Sequence, residues 1–114
     1  MSERSTKVKV NVLDELLKVS VVGSTTSTTT VVADSASSVT ILASNSSRTG
    51  ASIFNDSSAA LYLLIGTGTA SSVNYTVRVV QYALYEIPYG YKGAVNGIWA
   101  TDPGVGAARI TEFI

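Results

Sequence analysis

The sequence predicts an all-β protein, an antiparallel β-sandwich or jelly-roll-like barrel carrying an N-terminal strand pair or arm. Three observations predict it. Apolar residues recur with a period of two, as in KVKVNV at residues 7–12, where Val8, Val10 and Val12 share one face. Clusters of Gly, Ser, Asn, Asp and Pro interrupt these runs at roughly the 8–12-residue spacing of sandwich strands. No stretch holds the 3.6-residue apolar period over a helix's length. A chain of 114 residues has core enough for one domain.

Taken in order, the strand at 7–12 leads into a turn near residues 13–14. DELLK at 14–18 suits a helical turn, but Val19, Val21 and Val22 follow at once, so a second strand is expected over 16–22. GSTTSTTT at 23–30 reads as a flexible hairpin tip or linker, or as a hinge that lets residues 1–22 reach a neighbouring subunit. Thr favours β-structure, so such a linker can also join a sheet edge. A strand at 29–33, a polar turn at 34–38 and a strand at 38–43 precede the loop SNSSRTG at 44–50.

The strand at 51–55 reverses through Asn55-Asp56-Ser57-Ser58 into 61–65, which predicts a hairpin of SIFN against LYLLI. Both faces of LYLLI are apolar, as in a central strand covered on two sides or one with a face in an interface. GTGTASS at 66–72 is a loop. In the strand at 75–80, Tyr75, Val77 and Val79 fall on one face. A short strand at 85–87 stops at Pro88, which has no N–H to give a ladder. Residues 89–93 turn, and 94–100 resume as a strand. Asn96-Gly97 in isolation signals a hairpin, but its flanking arms are too short, so it reads as a Gly bulge within one strand. A turn at 102–106 and a strand at 108–114 close the chain. The total is about nine or ten strands, divided into an N-terminal unit (1–33, ending in the Thr-rich linker) and a sandwich module (34–114).

Composition narrows the chemistry. Hydrophobic residues make up 46% and charged ones 14%, against about a quarter charged in ordinary globular domains. Eight basic and eight acidic residues cancel. That balance leaves no electrostatic footprint for nucleic acid, and few charges guard the surface against self-association. A homo-oligomer is expected.

Cys and His are both absent, which removes disulfides, Ser-His-Asp and Cys-His catalysis and tetrahedral zinc. The carboxylates of Glu3, Asp14, Glu15, Asp34, Asp56, Glu86, Asp102 and Glu112 sit mostly at turns and strand ends. Gly66-Thr67-Gly68 lacks the helix and Lys of a phosphate loop. No enzyme activity, metal or cofactor is expected. The polar N-terminus and the short apolar runs argue against a signal peptide or membrane span, so synthesis in a cytoplasm is expected.

The segment 84–114 holds both prolines, the only Trp and five of the nine Gly. With Tyr82, Tyr85, Tyr89, Tyr91 and Trp99 it offers material for a carbohydrate or nucleobase platform. Only Arg78, Lys92 and Arg109 add positive charge nearby, and packing at the core edge and subunit contacts is the preferred use of these rings.

From Ser44 onward the chain resembles a family of small structural proteins of tailed-phage particles. The matching residues are Arg48, Gly50, Ile53 and Asn55, then Leu61-Tyr62, Gly66, Ala70-Ser71, Tyr75 and Val77. They continue through Tyr85, Ile87-Pro88, Gly90, Gly93, the strand Gly97-Ile98-Trp99 and the tail Ala108-Arg109-Ile110-Thr111-Glu112. The resemblance implies a structural virion protein, above all a capsid cement or decoration protein on the outer capsid surface. Its partners would be further copies of itself, as in a trimer, and the major capsid protein. A tail, neck or fibre-base adaptor is the runner-up, and a carbohydrate-binding attachment module comes third.

Under this resemblance Arg48 pairs with Glu112 or Glu86 and pins the 44–50 loop. Trp99 sets the sheet separation, and Tyr85, Tyr89, Tyr91 and Arg109 serve as structural or interface anchors. Residues 1–33 match nothing in that pattern. An N-terminal strand pair on a Thr-rich hinge would suit strand addition to a neighbour.

Overall fold

In a computed structural model, residues 26–114 are described. The strands expected at 7–12 and 16–22, and the helical turn considered at 14–18, lie outside the described residues. The described chain forms eight strands and no helix: β1 (Ser27–Ala33), β2 (Val39–Leu42), β3 (Gly50–Asp56), β4 (Leu61–Ile65), β5 (Val77–Val79), β6 (Leu84–Glu86), β7 (Val95–Trp99) and β8 (Ala107–Phe113). They build two four-stranded antiparallel sheets, ordered β1-β8-β3-β6 and β2-β7-β4-β5, packed as a β-sandwich.

The pairings are nested: β1 with β8, β2 with β7, β3 with β6 and β4 with β5. The chain thus runs as one long ribbon folded back on itself, with successive strands mostly alternating between sheets. Period-two patterning decides which side faces in. Ala51, Ile53 and Asn55 of β3 are buried while Ser52 and Phe54 are not, and β7 buries Val95, Gly97 and Trp99. Both inner faces feed one core of Ile41, Leu42, Ile53, Leu61, Leu63, Val79, Val95, Trp99 and Ile110. Each such large aliphatic side chain contributes about 1.5–3 kcal/mol by leaving water.

Four sequence expectations change. First, the Thr-rich stretch is not simply a linker: Ser27–Thr30 begin β1, which pairs along its length with β8. The sandwich therefore takes in residues 27–33 rather than starting at 34.

Second, the segments 51–55 and 61–65 do not form a hairpin, because β3 and β4 belong to different sheets. The turn residues between them make a corner. Asn55 Nδ2 donates to the carbonyls of Ala59 and Val79, both at 2.9 Å, and the Ser57 hydroxyl donates to Asp34 Oδ2 at 2.9 Å. These bonds bend the chain out of one sheet and into the other.

Third, Asn96-Gly97 does lie inside one strand, but the irregularity sits in its partner, between Thr40 and Leu42 of β2. Gly97 is needed because Ile41 packs over it. A Cβ at Gly97 would lie 2.8 Å from Ile41 Cγ1 and 3.1 Å from Leu61 Cδ1.

Fourth, Tyr75 precedes β5 instead of sharing a strand face with Val77. It meets the outward-facing Tyr62 edge-on, with ring centroids 4.8 Å apart. The 66–76 segment is held there by Asn96 Nδ2 donating to Gly68 O and by Thr76 N donating to Leu63 O. β4 lies between β7 and β5, with Leu61 and Leu63 buried in the core and Tyr62, Leu64 and Ile65 half-buried.

Candidate functional site: buried polar ties behind an exposed sheet face

Three buried polar groups tie the loops to the sandwich. Arg48, in the β2–β3 loop, is fully buried. Its Nε donates to Glu112 Oε2 at 2.7 Å and its Nη1 to Gly93 O at 2.8 Å and Tyr91 O at 3.3 Å, while its Nη2 donates to Ala43 O. Lys92 Nζ in turn donates to Arg48 O. One guanidinium thereby joins the end of β2, the turn before β7 and strand β8. Of the two carboxylates considered from sequence, Glu112 is the partner, and Glu86 is exposed on β6.

Asp34 is the second tie. Its carboxylate accepts from Gly104 N at 3.2 Å, Gly106 N at 3.1 Å and the Ser57 hydroxyl. Gly106 passes so close that an added Cβ would lie 2.6 Å from the backbone Cα of Ser57. The third tie is Asn55, whose Oδ1 accepts from Trp99 Nε1 at 3.1 Å. Every buried side-chain polar atom of the described residues has a partner, so these groups are occupied in holding strand ends together.

The aromatic residues expected to cluster do not converge. Trp99 is in the core with its N–H on Asn55, so it acts as a structural anchor and is not available as a surface contact. Tyr85 and Tyr91 are half-buried against the core, and the Tyr91 hydroxyl donates to Ala94 O. Tyr89 is exposed, at the rim of a cavity of about 290 Å³ lined also by Ser52, Glu86, Ile87 and Phe113. Tyr82 lies apart, stacked on Phe54 at 6.3 Å. These five rings therefore do not form one shared surface.

The outward side of the first sheet carries several exposed apolar residues. Register places Val31, Arg109, Phe54 and Leu84 in one row across β1, β8, β3 and β6. Val31 is 61% exposed, Leu84 59% and Tyr82 66%. Arg109, expected as an anchor, stands in this row and pairs with Asp56 Oδ2 at 2.8 Å. Tyr82 is held at φ 63°, a conformation uncommon for a non-glycine residue. Its N–H donates to Asn55 O at 2.7 Å, so the Asn55 corner presents the ring to solvent.

In the sequence, Asp34 reads only as a turn carboxylate, and nothing there signals this row. Phe54 and Leu84 become neighbours only through β3–β6 pairing. Among the described residues no group of three His, Cys, Asp or Glu side chains gathers to hold a metal ion. Compared with family models, curated proteins and solved structures, the chain matches none.

Proposed function

We propose that the chain is a structural virion protein, a capsid cement or decoration protein that binds across capsid subunits and stabilises a phage head. The observation that carries this reading is the row of Val31, Arg109, half-buried Phe54 and Leu84, with Tyr82 beside it, mounted on a sandwich whose buried side-chain polar atoms all have partners among the described residues. A strip of this kind is suited to burying area against another protein surface, with Tyr and Arg as its strongest contacts. The nested strand pairing supports reading the sandwich as a jelly roll, an architecture used by viral capsid and lectin domains. Fold alone does not select a role. The resemblance from Arg48 to Glu112 favours the capsid.

Work in this reading comes from buried area and shape rather than turnover. The strip docks on capsid protein, and the Arg48, Asp34 and Asn55 ties keep the loops from yielding under load.

Quantitative mass spectrometry of purified particles tests it. The expected copy number scales with the number of capsid subunits. A number matching the tail's rotational symmetry would assign the chain to a tail or neck adaptor, and its absence from particles would overturn both. A Phe54→Asp, Leu84→Asp variant is expected to stay folded and to lose attachment.

A further inference from the structure

A sandwich has four edge strands, and each is an open row of N–H and C=O groups that natural proteins blunt by shortness, charge, proline or a bulge. Three edges here are blunted. β6 is three residues long, carries Glu86 and runs into Pro88. β5 is three residues long and carries Arg78. β2 is four residues long and is broken by the irregularity at Ile41. β1 has none of these devices. It is seven residues of Ser-Thr-Thr-Thr-Val-Val-Ala without charge or proline, in unbroken register with β8, and among the described residues it pairs with β8 alone. Almost all of it is exposed.

We infer that β1 is a docking edge whose occupant is β1 of a second copy, paired antiparallel about a two-fold axis through Thr30. The strand is self-complementary in that register. Thr30 meets the second copy's Thr30, Thr29 meets Val31, Thr28 meets Val32 and Ser27 meets Ala33. Thr and Val oppose one another in all but the end pair Ser27–Ala33, as strand pairs prefer. No charge in the seven residues opposes a like charge across the axis.

A groove of about 220 Å³ runs beside this edge, between Thr28 and Thr30 of β1 and Ile41, Leu42 and Ala43 at the end of β2. The second strand closes its open side. Two β1-β8-β3-β6 sheets then become one continuous sheet, with each Val31 opposite the second copy's Thr29 and diagonal to its Val31 on the outer face. The contact is isologous and closes on itself, so it yields a dimer rather than a fibre. This inference does not depend on the virion reading, since it concerns the purified chain alone.

The test uses the full chain, which has no cysteine of its own. Residues directly opposite in an antiparallel pair have Cα atoms about 4.5–5.5 Å apart, within the disulfide range of about 4.4–6.8 Å. Thr30→Cys is therefore expected to give a disulfide-linked dimer on mild oxidation, whereas Ser47→Cys, on an exposed loop, stays monomeric on a non-reducing gel. Analytical ultracentrifugation of the unaltered chain is expected to show a dimer. Thr29→Lys with Val31→Lys sets like charges opposite each other and should raise the dimer dissociation constant at least tenfold, with an unchanged circular dichroism spectrum.

A chain that sediments as a monomer at every concentration overturns the inference. So does equal cross-linking of the two cysteine variants. A dimer that survives the double lysine change but dissolves on Val10→Asp assigns the contact to residues 7–12 instead, and overturns it as well.

Discussion

Arg48 shows how much one residue can hold. Its guanidinium makes four hydrogen bonds to three separate parts of the chain and leaves no polar atom of its own unsatisfied. Removing one member of a buried ion pair leaves the other desolvated and unpaired, at a cost of about 3–5 kcal/mol. Arg48→Ala is expected to lose about that much in a urea unfolding titration. Arg48→Lys should recover little of it, because an ammonium cannot reproduce the planar fork. Arg109→Ala offers the contrast: its pair with Asp56 is exposed, so the expected change is about 0–1 kcal/mol.

Gly97 is decided by volume. Gly97→Ala forces a methyl against Ile41 and Leu61 and should cost about 1–3 kcal/mol by overpacking. Combined with Ile41→Ala, which clears the space, the loss is expected to fall short of the sum of the single losses. Additive losses in that double-mutant cycle would show that the two residues do not compete.

At the scale of the element, the strands differ in how firmly they are held. β3, β4, β7 and β8 each have partners on both sides, whereas β5 and β6 are three-residue edges. Local opening is easiest where few buried contacts and short ladders hold the backbone. Native-state hydrogen exchange is expected to show β5 and β6 opening well below the global stability, with β8 and β7 exchanging only on full unfolding. Uniform protection across all eight strands would contradict this.

The corner at Asn55 links the two sheets, since its side chain binds Ala59, Val79 and Trp99 together. A sequence reading sees Asn-Asp-Ser-Ser as a reversal, and a reversal is what it is. Whether the returning strand pairs with the one it left, or crosses to the opposite sheet, depends on these side-chain bonds across 24 and 44 residues of separation.

For the whole molecule, the nested pairing makes most contacts distant in sequence: Ser27 pairs with Phe113 at the far end of the described chain. Closing such loops costs entropy before contacts can reward it, so all-β topologies of this kind fold in milliseconds to seconds. Stopped-flow refolding on that timescale is expected, and completion within microseconds would be inconsistent with this topology. The same topology leaves β1 and β6 at opposite edges of one sheet, with the apolar strip lying across it. Among the described residues, the unpaired edge of β1 and the outward row thus share Val31.

The fold class and most strand positions are legible in the residues alone, because period two and turn residues are local properties of the chain. Trp99 as the core anchor, and Glu112 or Glu86 as the partner of Arg48, are expected only under the resemblance. Only the tertiary structure chose Glu112 and moved Ser27–Ala33 into the sandwich. Only it split the expected hairpin between two sheets and set Val31, Arg109, Phe54 and Leu84 in one row. Each of those outcomes is a pairing between residues far apart in the chain, decided by which packing satisfies every buried polar group and fills the space over Gly97.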